Sequence, residues 1–335
     1  MKTNGKPLFA GIDTSNYTTS AALCDETGQI LLNRKIPLPV REGERGLRQS
    51  DAVFHHVRGI PEAADSIRSA LDALNQSGER YEIACVGYSA YPRDKEGSYM
   101  PCFLAGKAAA EFASALFGVP AYGFSHQSGH IMAALFSACD NAGMDVRKMM
   151  AEPFLAFHVS GGTTDVLFCK PGRAAGRLFE IEQVGGTKDI NGGQAIDRCG
   201  VRMGLCFPCG AEMDRAAVGF SGKVRHDPLS VHGLWCNLSG LENKSAEMYR
   251  DTGSREETSA YVLDFIARTL EKITLAAWEE YGKMPVIYAG GVMSSAYIKR
   301  RLEKYGLFAS PQYSSDNACG TALLAREKYY AETNE

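Results

Sequence analysis

Two histidines four residues apart give the sequence its clearest indication of chemistry. His126 and His130 lie in the segment SHQSGHIMAALF, which is predicted to be a helix capped by Ser125, so both imidazoles lie on one face. Two imidazoles so placed can chelate one metal ion. Alternatively, one histidine caps the helix and the other packs in the core. Zinc-protease chemistry is disfavoured, because Gln127 stands where HExxH needs its glutamate base.

Glycine-rich turns are the second candidate feature. Residues 159–165 (VSGGTTD) and 289–292 (AGGV) each place two glycines after an apolar run. Backbone N–H groups of such turns can approach a phosphate closely, and a helix that begins at AGGV would add its positive N-terminus. Both turns are also compatible with ordinary connections that bind no ligand.

Aspartates accompany the glycines of residues 184–214, where Asp189, Asp197 and Asp214 lie. This segment either presents carboxylates to ribose hydroxyls or is a solvated loop, helix and loop. Asp316 precedes the last predicted helix. It either caps that helix or completes a metal set of two histidines and one carboxylate.

The cysteines indicate the compartment. The chain has 10 Cys without a disulfide-like framework, which favours free thiols in a reducing cytoplasm. Cys206 and Cys209 form a CFPC motif with redox or half-zinc-site spacing. No second CxxC accompanies it, so both roles stay open.

The hydrophobic pattern divides the chain into two α/β halves. The segments GIDTSNYTTSAALC and HVSGGTTDVLFC each read as a strand, a turn of small hydroxyl residues and a second strand. This repeat predicts duplicated lobes facing one cleft. The predicted strands are residues 8–12, 20–24, 30–36, 83–89, 120–124, 153–159 and 286–289. The predicted helices are residues 52–74 with a kink or break before Pro61, 103–117, 125–138, 256–281, one ending at 305, and 317–330.

Composition sets further limits. The 335 residues carry 36 basic and 39 acidic side chains, a net charge of −3, and are 45% hydrophobic. These values exclude intrinsic disorder and a general nucleic-acid binder, and the length predicts two lobes. Residues 112–139 lack charge over a membrane-sized length, but Pro120 and several polar residues interrupt them, so we expect no membrane span. Residues 1–7 are too polar for a signal peptide.

The order of these motifs along residues 8–325 resembles the TsaD (Gcp) family of the actin-like, sugar-kinase-like (ASKHA) superfamily. The resemblance implies a two-lobed α/β fold with duplicated lobes around a central cleft. Lobe I would be residues 1–124 plus 318–335, and lobe II residues 125–317. It also implies transfer of a threonylcarbamoyl group from threonylcarbamoyl-adenylate to the adenosine beside the anticodon of tRNA.

The resemblance implies site residues one by one. The metal, iron or zinc, would be bound by His126, His130 and Asp316. The adenine nucleotide or threonylcarbamoyl-adenylate would contact His158, Val159, Ser160, Gly161, Gly162, Asp197, Gly210, Asp214 and Ser295. A DHVR-like segment contains His56. The implied partners are tRNA and either TsaB-like and TsaE-like proteins or a second copy of the chain.

Several positions depart from the family pattern and indicate a divergent paralogue. Residues 13–19 read DTSNYTT for ETSCDET, and residues 90–94 replace a GPG loop. Thr163 replaces the histidine of SGGHT, Ser295 the asparagine after AGGV, and Glu242 the lysine of SGLK. Two alternatives therefore remain: a scaffold that binds nucleotide and metal, and a carbamoyltransferase acting on a small molecule.

The basic residues bear on the choice of acceptor. Clusters of Lys and Arg follow AGGV and lie near the Gly/Asp segment, and each is either a solvated face or an RNA-binding surface. The members are Lys299, Arg300, Arg301, Lys304, Arg198, Arg202 and Arg215.

Overall fold

The computed structural model describes residues 5–15, 17–39, 47–76, 78–172, 177–313 and 318–333. The strands are β1 Lys6–Asp13, β2 Thr18–Cys24, β3 Ile30–Pro37, β4 Tyr81–Tyr91, β5 Ala121–Ser125, β6 Phe154–Val159, β7 Thr164–Pro171, β8 Phe179–Thr187, β9 Val231–His232, β10 Trp235–Cys236, β11 Val286–Ala289 and β12 Leu307–Phe308. The helices are α1 Gln49–Asn75, α2 Phe103–Phe117, α3 His126–Ala142, α4 Val146–Met150, α5 Gly192–Arg202, α6 Gly210–Gly219, α7 Gly240–Thr252, α8 Arg255–Tyr281, α9 Ala296–Leu302 and α10 Cys319–Thr333.

The chain divides into two compact units. Unit 1 comprises Met1–Phe136, Gly172–Glu180 and Ser315–Glu335, and unit 2 comprises Ser137–Pro171 and Ile181–Ser314. The lobe boundaries predicted from the sequence lie at 124/125 and 317/318, whereas the compact units divide at 136/137 and 314/315. The predicted boundaries stay a prediction.

Unit 1 is built on a five-stranded sheet of order β3-β2-β1-β4-β5. β1 pairs antiparallel with β2 and parallel with β4, and β4 pairs parallel with β5. α10 packs directly on β1 and β4, where a Cβ at Gly11 would lie 2.5 Å from the Ala318 carbonyl oxygen and one at Gly87 2.6 Å from that of Thr321. Both positions therefore require glycine for this close packing.

Unit 2 repeats the same arrangement within a seven-stranded sheet of order β12-β11-β6-β7-β8-β10-β9. β6 pairs antiparallel with β7 and parallel with β11, which pairs parallel with β12. β6, β7, β11 and β12 thus correspond to β1, β2, β4 and β5. The duplication predicted from the two hairpins is confirmed, and the mixed α/β fold class with it.

The two long amphipathic helices, α1 and α8, were both predicted from the sequence. α8 covers the predicted residues 256–281, while α1 runs without a break through Pro61. The proline removes one backbone hydrogen bond, but buried residues of α1 lie on both sides of it, Gly59 before and Ala63 after, and the helix packs against β2 and β3. Packing therefore maintains a helix that local propensity would end.

Residues 112–139 form parts of α2 and α3 with β5 between them. None of the helices in the described ranges has the length and apolar character needed to cross a bilayer.

Candidate active site

The two predicted histidines meet at the start of α3 in unit 1. Ser125 Oγ accepts a hydrogen bond from the backbone N–H of Ser128 at 3.0 Å, as predicted for its capping role. The Nε2 atoms of His126 and His130 lie 2.8 Å apart. The one-turn spacing on the helix therefore makes two imidazole nitrogens converge on one point.

Asp13 holds the first histidine from the opposite side. It ends β1, its side chain is buried, and its Oδ2 lies 2.9 Å from His126 Nδ1. Its Oδ1 accepts the backbone N–H of Ser15 at 2.8 Å. No role for Asp13 was predicted from the sequence. The strand order explains the contact, because β1 runs parallel to β4, and β4 to β5, so Asp13 and His126 lie at the same edge of the sheet.

The donor atoms present fit the metal that the family resemblance implies. A pair of imidazole nitrogens with a carboxylate behind one of them is typical of zinc and iron sites. Asp316 lies outside the described residues. Within the described residues, no group of three or more His, Cys, Asp or Glu side chains is arranged to hold a metal. The structure thus supplies two nitrogen donors, and the third ligand stays a prediction.

The loop that replaces GPG is attached to the same helix end. Asp94 Oδ2 accepts hydrogen bonds from Ser125 Oγ at 2.6 Å and from Ser128 Oγ at 2.8 Å, and Tyr91 donates to Asp94 Oδ1 at 3.2 Å. A carboxylate at a helix N-terminus is favourable because it faces the positive end of the dipole. This departure from the family therefore fixes the position where α3 begins.

His56 is another histidine of unit 1, buried in α1. Its Nδ1 lies 2.8 Å from Thr19 Oγ1, and its Nε2 finds no hydrogen-bond partner among the described residues. Burial lowers the pKa of His56 to about 4, against the raising effect of nearby Asp13. A Cβ at Gly59 would lie 2.9 Å from Thr19 Oγ1, so glycine allows α1 to approach β2 this closely.

In unit 2, the SGG turn forms a compact loop between β6 and β7. Ser160 Oγ accepts the backbone N–H groups of Gly162 and Thr163 at 3.2 and 3.1 Å. A Cβ at Gly161 or Gly162 would meet nothing within 4 Å, whereas one at Gly193 would lie 2.7 Å from Gly161 Cα. One side of the turn is therefore open and the other packs against the start of α5.

Two further segments join this turn. Thr164 Oγ1 accepts the N–H of Gly192 at 2.8 Å, where α5 begins. Gly290 has φ +99°, and a Cβ there would lie 2.3 Å from the Val159 carbonyl oxygen. A Gly-rich turn beside a helix N-terminus is a common phosphate-binding arrangement. Thr163, which replaces the family's histidine, contacts strand β6, because its Oγ1 lies 3.2 Å from His158 Nδ1.

The two aspartates expected to contact nucleotide both bind backbone N–H groups. Asp197 Oδ1 accepts the N–H of Cys209 at 2.8 Å, directly before Gly210 begins α6. Asp214 accepts the hydroxyl of Ser295 and the N–H groups of Ala296 and Tyr297, the latter two at 3.1 Å each. Contact of Asp197, Gly210, Asp214 and Ser295 with a nucleotide stays a prediction.

The AGGV turn differs from the sequence-based prediction. We expected a helix to begin at this turn, but a 3₁₀ turn, Gly291–Ser294, comes first. α9 begins at Ala296 and ends at Leu302, before the predicted residue 305, and Asp214 occupies its N-terminus. The predicted start and end of this helix were therefore wrong, and contact of the AGGV turn with a phosphate stays one of two open interpretations.

Asp189 anchors the segment that leads into α5. Its carboxylate accepts the N–H groups of Ile190, Leu238 and Ser239 at 2.7, 2.8 and 2.9 Å. Burial raises the pKa of Asp189, but the hydrogen bonds from Ser239, Leu238 and Ile190 outweigh it and hold the pKa at about 2.

We expect Asp189→Asn to lower the free energy of unfolding by about 0.5–1.5 kcal/mol at pH 7, because hydrogen bonds to a charged group are lost and solvent around this exposed side chain screens them. The pKa in the folded state lies below the unfolded value of about 3.9. The carboxylate's contribution is therefore complete above that value and is lost as the pH falls toward about 2. Urea unfolding of both proteins between pH 7 and pH 3 checks this. A difference in the free energy of unfolding that does not become smaller as the pH falls would contradict it.

The predicted basic clusters are partly neutralised. Arg301 pairs with Glu271 at 2.7 Å and Lys304 pairs with the same carboxylate at 3.2 Å. Arg202 and Arg198 pair with Glu242 at 2.7 and 3.7 Å. Four of the seven basic residues are thus ion-paired, which reduces the positive charge that these clusters offer to RNA.

The CFPC pair receives no support as a reactive site. Cys206 is exposed and Cys209 buried, and both are free thiols. Cys209 Sγ lies 3.6 Å from the carbonyl oxygen of Asp197, and burial raises the pKa of its thiol. A reactive thiol needs a lowered pKa, so the geometry favours packing in the core of unit 2.

Solved structures share the fold. A ROK family glucokinase from Streptomyces griseus is 15% identical with a TM-score of 0.52, the alignment covering 96% of this chain and 99% of that one. The activator of the 2-hydroxyisocaproyl-CoA dehydratase from Clostridium difficile is 13% identical with a TM-score of 0.50, covering 98% and 97%. Full-length HypF is 11% identical with a TM-score of 0.55, covering 99% of this chain and 56% of HypF. These similarities show the actin-like, sugar-kinase-like fold.

Proteins of similar sequence show to which family the chain belongs. Proteins named tRNA N6-adenosine threonylcarbamoyltransferase from Thermosipho africanus and Lacticaseibacillus casei are 25% and 27% identical. The alignments cover 96% and 89% of this chain, and 94% and 83% of those proteins. The family model for TsaD, tRNA N6-adenosine threonylcarbamoyltransferase, matches residues 50–323. The chain therefore belongs to the TsaD family of transferases.

Proposed function

We propose that the protein transfers a threonylcarbamoyl group from threonylcarbamoyl-adenylate to N6 of the adenosine beside the anticodon of tRNA. The observation that carries this proposal is the convergence of His126 and His130, 2.8 Å apart at Nε2, in a chain of the TsaD family. A nucleotide-binding scaffold would have no chemical need for such a pair of ligands.

In the reaction, a bond forms between the adenosine N6 and the carbamoyl carbon. The bond from that carbon to the phosphate oxygen breaks, AMP leaves with the electron pair, and one N6 proton passes to solvent. The backbone of Ser160, Gly161 and Gly162 would hold the phosphate, with His158 and Val159 in the strand below. Asp197, Gly210, Asp214 and Ser295 would line the ribose side.

His126, His130 and Asp316 would bind one divalent metal ion, iron or zinc. When bound, such an ion acts as a Lewis acid toward the carbamoyl or phosphate oxygen. The chain's own contribution is to present two imidazole nitrogens, with Asp13 behind His126 at 2.9 Å.

A protein partner of the TsaB-like type, alongside a TsaE-like protein, is part of the proposal. Leu104, Phe112 and Leu116 recur at helical spacing on α2 and are 49%, 68% and 65% exposed. An exposed apolar stripe of this kind is typical of a surface that binds another protein. A second copy of the chain is the other candidate occupant.

All ten cysteines are free thiols, which supports the cytoplasm as the location.

The test is incorporation of labelled threonine and bicarbonate into tRNA in the presence of ATP, the protein and TsaB-like and TsaE-like proteins. We expect label in tRNA, at an adenosine beside the anticodon. Label that appears only after another TsaD family member is added would contradict the proposal.

A small molecule is the second candidate acceptor. The observation in its favour is Glu242, which replaces a lysine of the family and pairs with Arg202 and Arg198 at 2.7 and 3.7 Å. A neutralised surface suits a small acceptor better than an RNA backbone. Adding a cell extract to the same assay separates the two acceptors, because label on a small acceptor would be recovered in the low-molecular-weight fraction.

A further inference from the structure

Asp13 contacts one ring of the histidine pair, that of His126, and so favours one tautomer of that ring. It is 1% exposed, and both of its oxygens are used: Oδ1 by the N–H of Ser15 at 2.8 Å and Oδ2 by His126 Nδ1 at 2.9 Å. A carboxylate oxygen that faces one imidazole nitrogen favours the tautomer with the proton on that nitrogen, here Nδ1 of His126, and this tautomer has its lone pair on Nε2.

That lone pair points at the second histidine. His126 Nε2 lies 2.8 Å from His130 Nε2, on the side of the ring opposite Asp13. A histidine binds a metal through the nitrogen that bears no proton, and the hydrogen bond at the other nitrogen decides which one this is. Asp13 thus selects the tautomer of His126 that can bind a metal.

The position of Asp13 is itself rigid. It is the last residue of β1, a central strand paired on both sides, and Ile12 and Asp13 pair with Ala21 and Ser20 of β2. Phe103 packs near the His126 ring, with centroids 6.1 Å apart. The ring is therefore held by a strand carboxylate at its edge and by an aromatic neighbour.

We propose that Asp13 is the positioning residue of the histidine pair: it orients His126 and keeps its Nε2 unprotonated for the metal. This inference rests on the proposed metal centre. Asp13 would not be a ligand, because its Oδ2 is directed at the far nitrogen of the ring. The residue belongs to the DTSNYTT segment that departs from the family motif ETSCDET, and a carboxylate is present at this position in both.

Asp13→Asn is the sharpest test, because it changes little in volume. If the amide oxygen keeps the Ser15 N–H, the NH₂ group faces His126 Nδ1 and favours the opposite tautomer. Zn²⁺ titrated by calorimetry into the full-length, chelator-stripped protein should bind D13N about 10–100-fold more weakly than the unsubstituted protein. D13E, which keeps a carboxylate, should lose less. Asp65→Asn, an exposed carboxylate on α1, is the control and should bind Zn²⁺ normally.

A second measurement needs no variant that risks misfolding. Long-range ¹H–¹⁵N NMR of the metal-free protein at about pH 8, above the ordinary imidazole pKa, should show His126 as the Nδ1–H tautomer. The Nε2–H tautomer, or equal Zn²⁺ affinity of D13N and the unsubstituted protein, would overturn the role of Asp13. Absence of Zn²⁺ and Fe²⁺ binding by the unsubstituted protein would instead contradict the proposed metal centre and this inference with it.

Discussion

Replacing both His126 and His130 with glutamine is expected to abolish tight metal binding and to slow threonylcarbamoyl transfer by about 10³-fold or more. The reason is that Lewis-acid stabilisation by a bound ion contributes several kcal/mol, and each 1.36 kcal/mol is a factor of about ten in rate. The two Nε2 atoms, 2.8 Å apart, are the nitrogen donors that converge on this point. Metal content by mass spectrometry and labelled-threonine transfer measure the two effects.

Gln127→Ala provides the matched control on the same helix turn. Its backbone N–H binds the Pro92 carbonyl oxygen at 3.0 Å, and this bond survives the substitution. We expect metal content and transfer within about twofold of the unsubstituted protein, as for surface changes away from special contacts. If the double histidine variant loses its metal but transfers at the normal rate, the metal has no part in the reaction.

The sequence predicted features that depend on local pattern. Histidines at i and i+4 share a helix face in any context, so the pair could be predicted before the structure was known. The two similar hairpins likewise predicted duplicated sheets, because alternation and turn residues are local signals. The amphipathic period gave α8 nearly to the residue.

Contacts between distant residues could not be predicted in the same way. Asp13 and His126 are 113 residues apart, and Asp214 and Ser295 are 81 apart. A lone aspartate is compatible with many roles, and only the strand order decides which N–H groups or rings it meets. The same limit applies to the ion pair of Arg202 with Glu242, which depends on the packing of α7 against α5.

Gly290→Ala is expected to have the largest effect on stability. Gly290 has φ +99° and ψ 162°, a region essentially restricted to glycine, where other residues cost about 1–3 kcal/mol. The new Cβ would also lie 2.3 Å from the Val159 carbonyl oxygen. Val159 ends a central strand and is 1% exposed, so the backbone itself must move, which adds about 1–3 kcal/mol.

Gly290→Ala is therefore expected to lower the free energy of unfolding by about 2–6 kcal/mol. This is a large share of the typical value of about 5–15 kcal/mol. Gly291→Ala tests the cause, because a Cβ at Gly291 meets nothing within 4 Å. We expect it to change the free energy of unfolding by no more than about 0.5 kcal/mol. Urea unfolding compares the two neighbouring variants directly. Equal stability of both would show that the turn after β11 adapts without moving Val159, and the SGG turn would then not depend on close packing at Gly290.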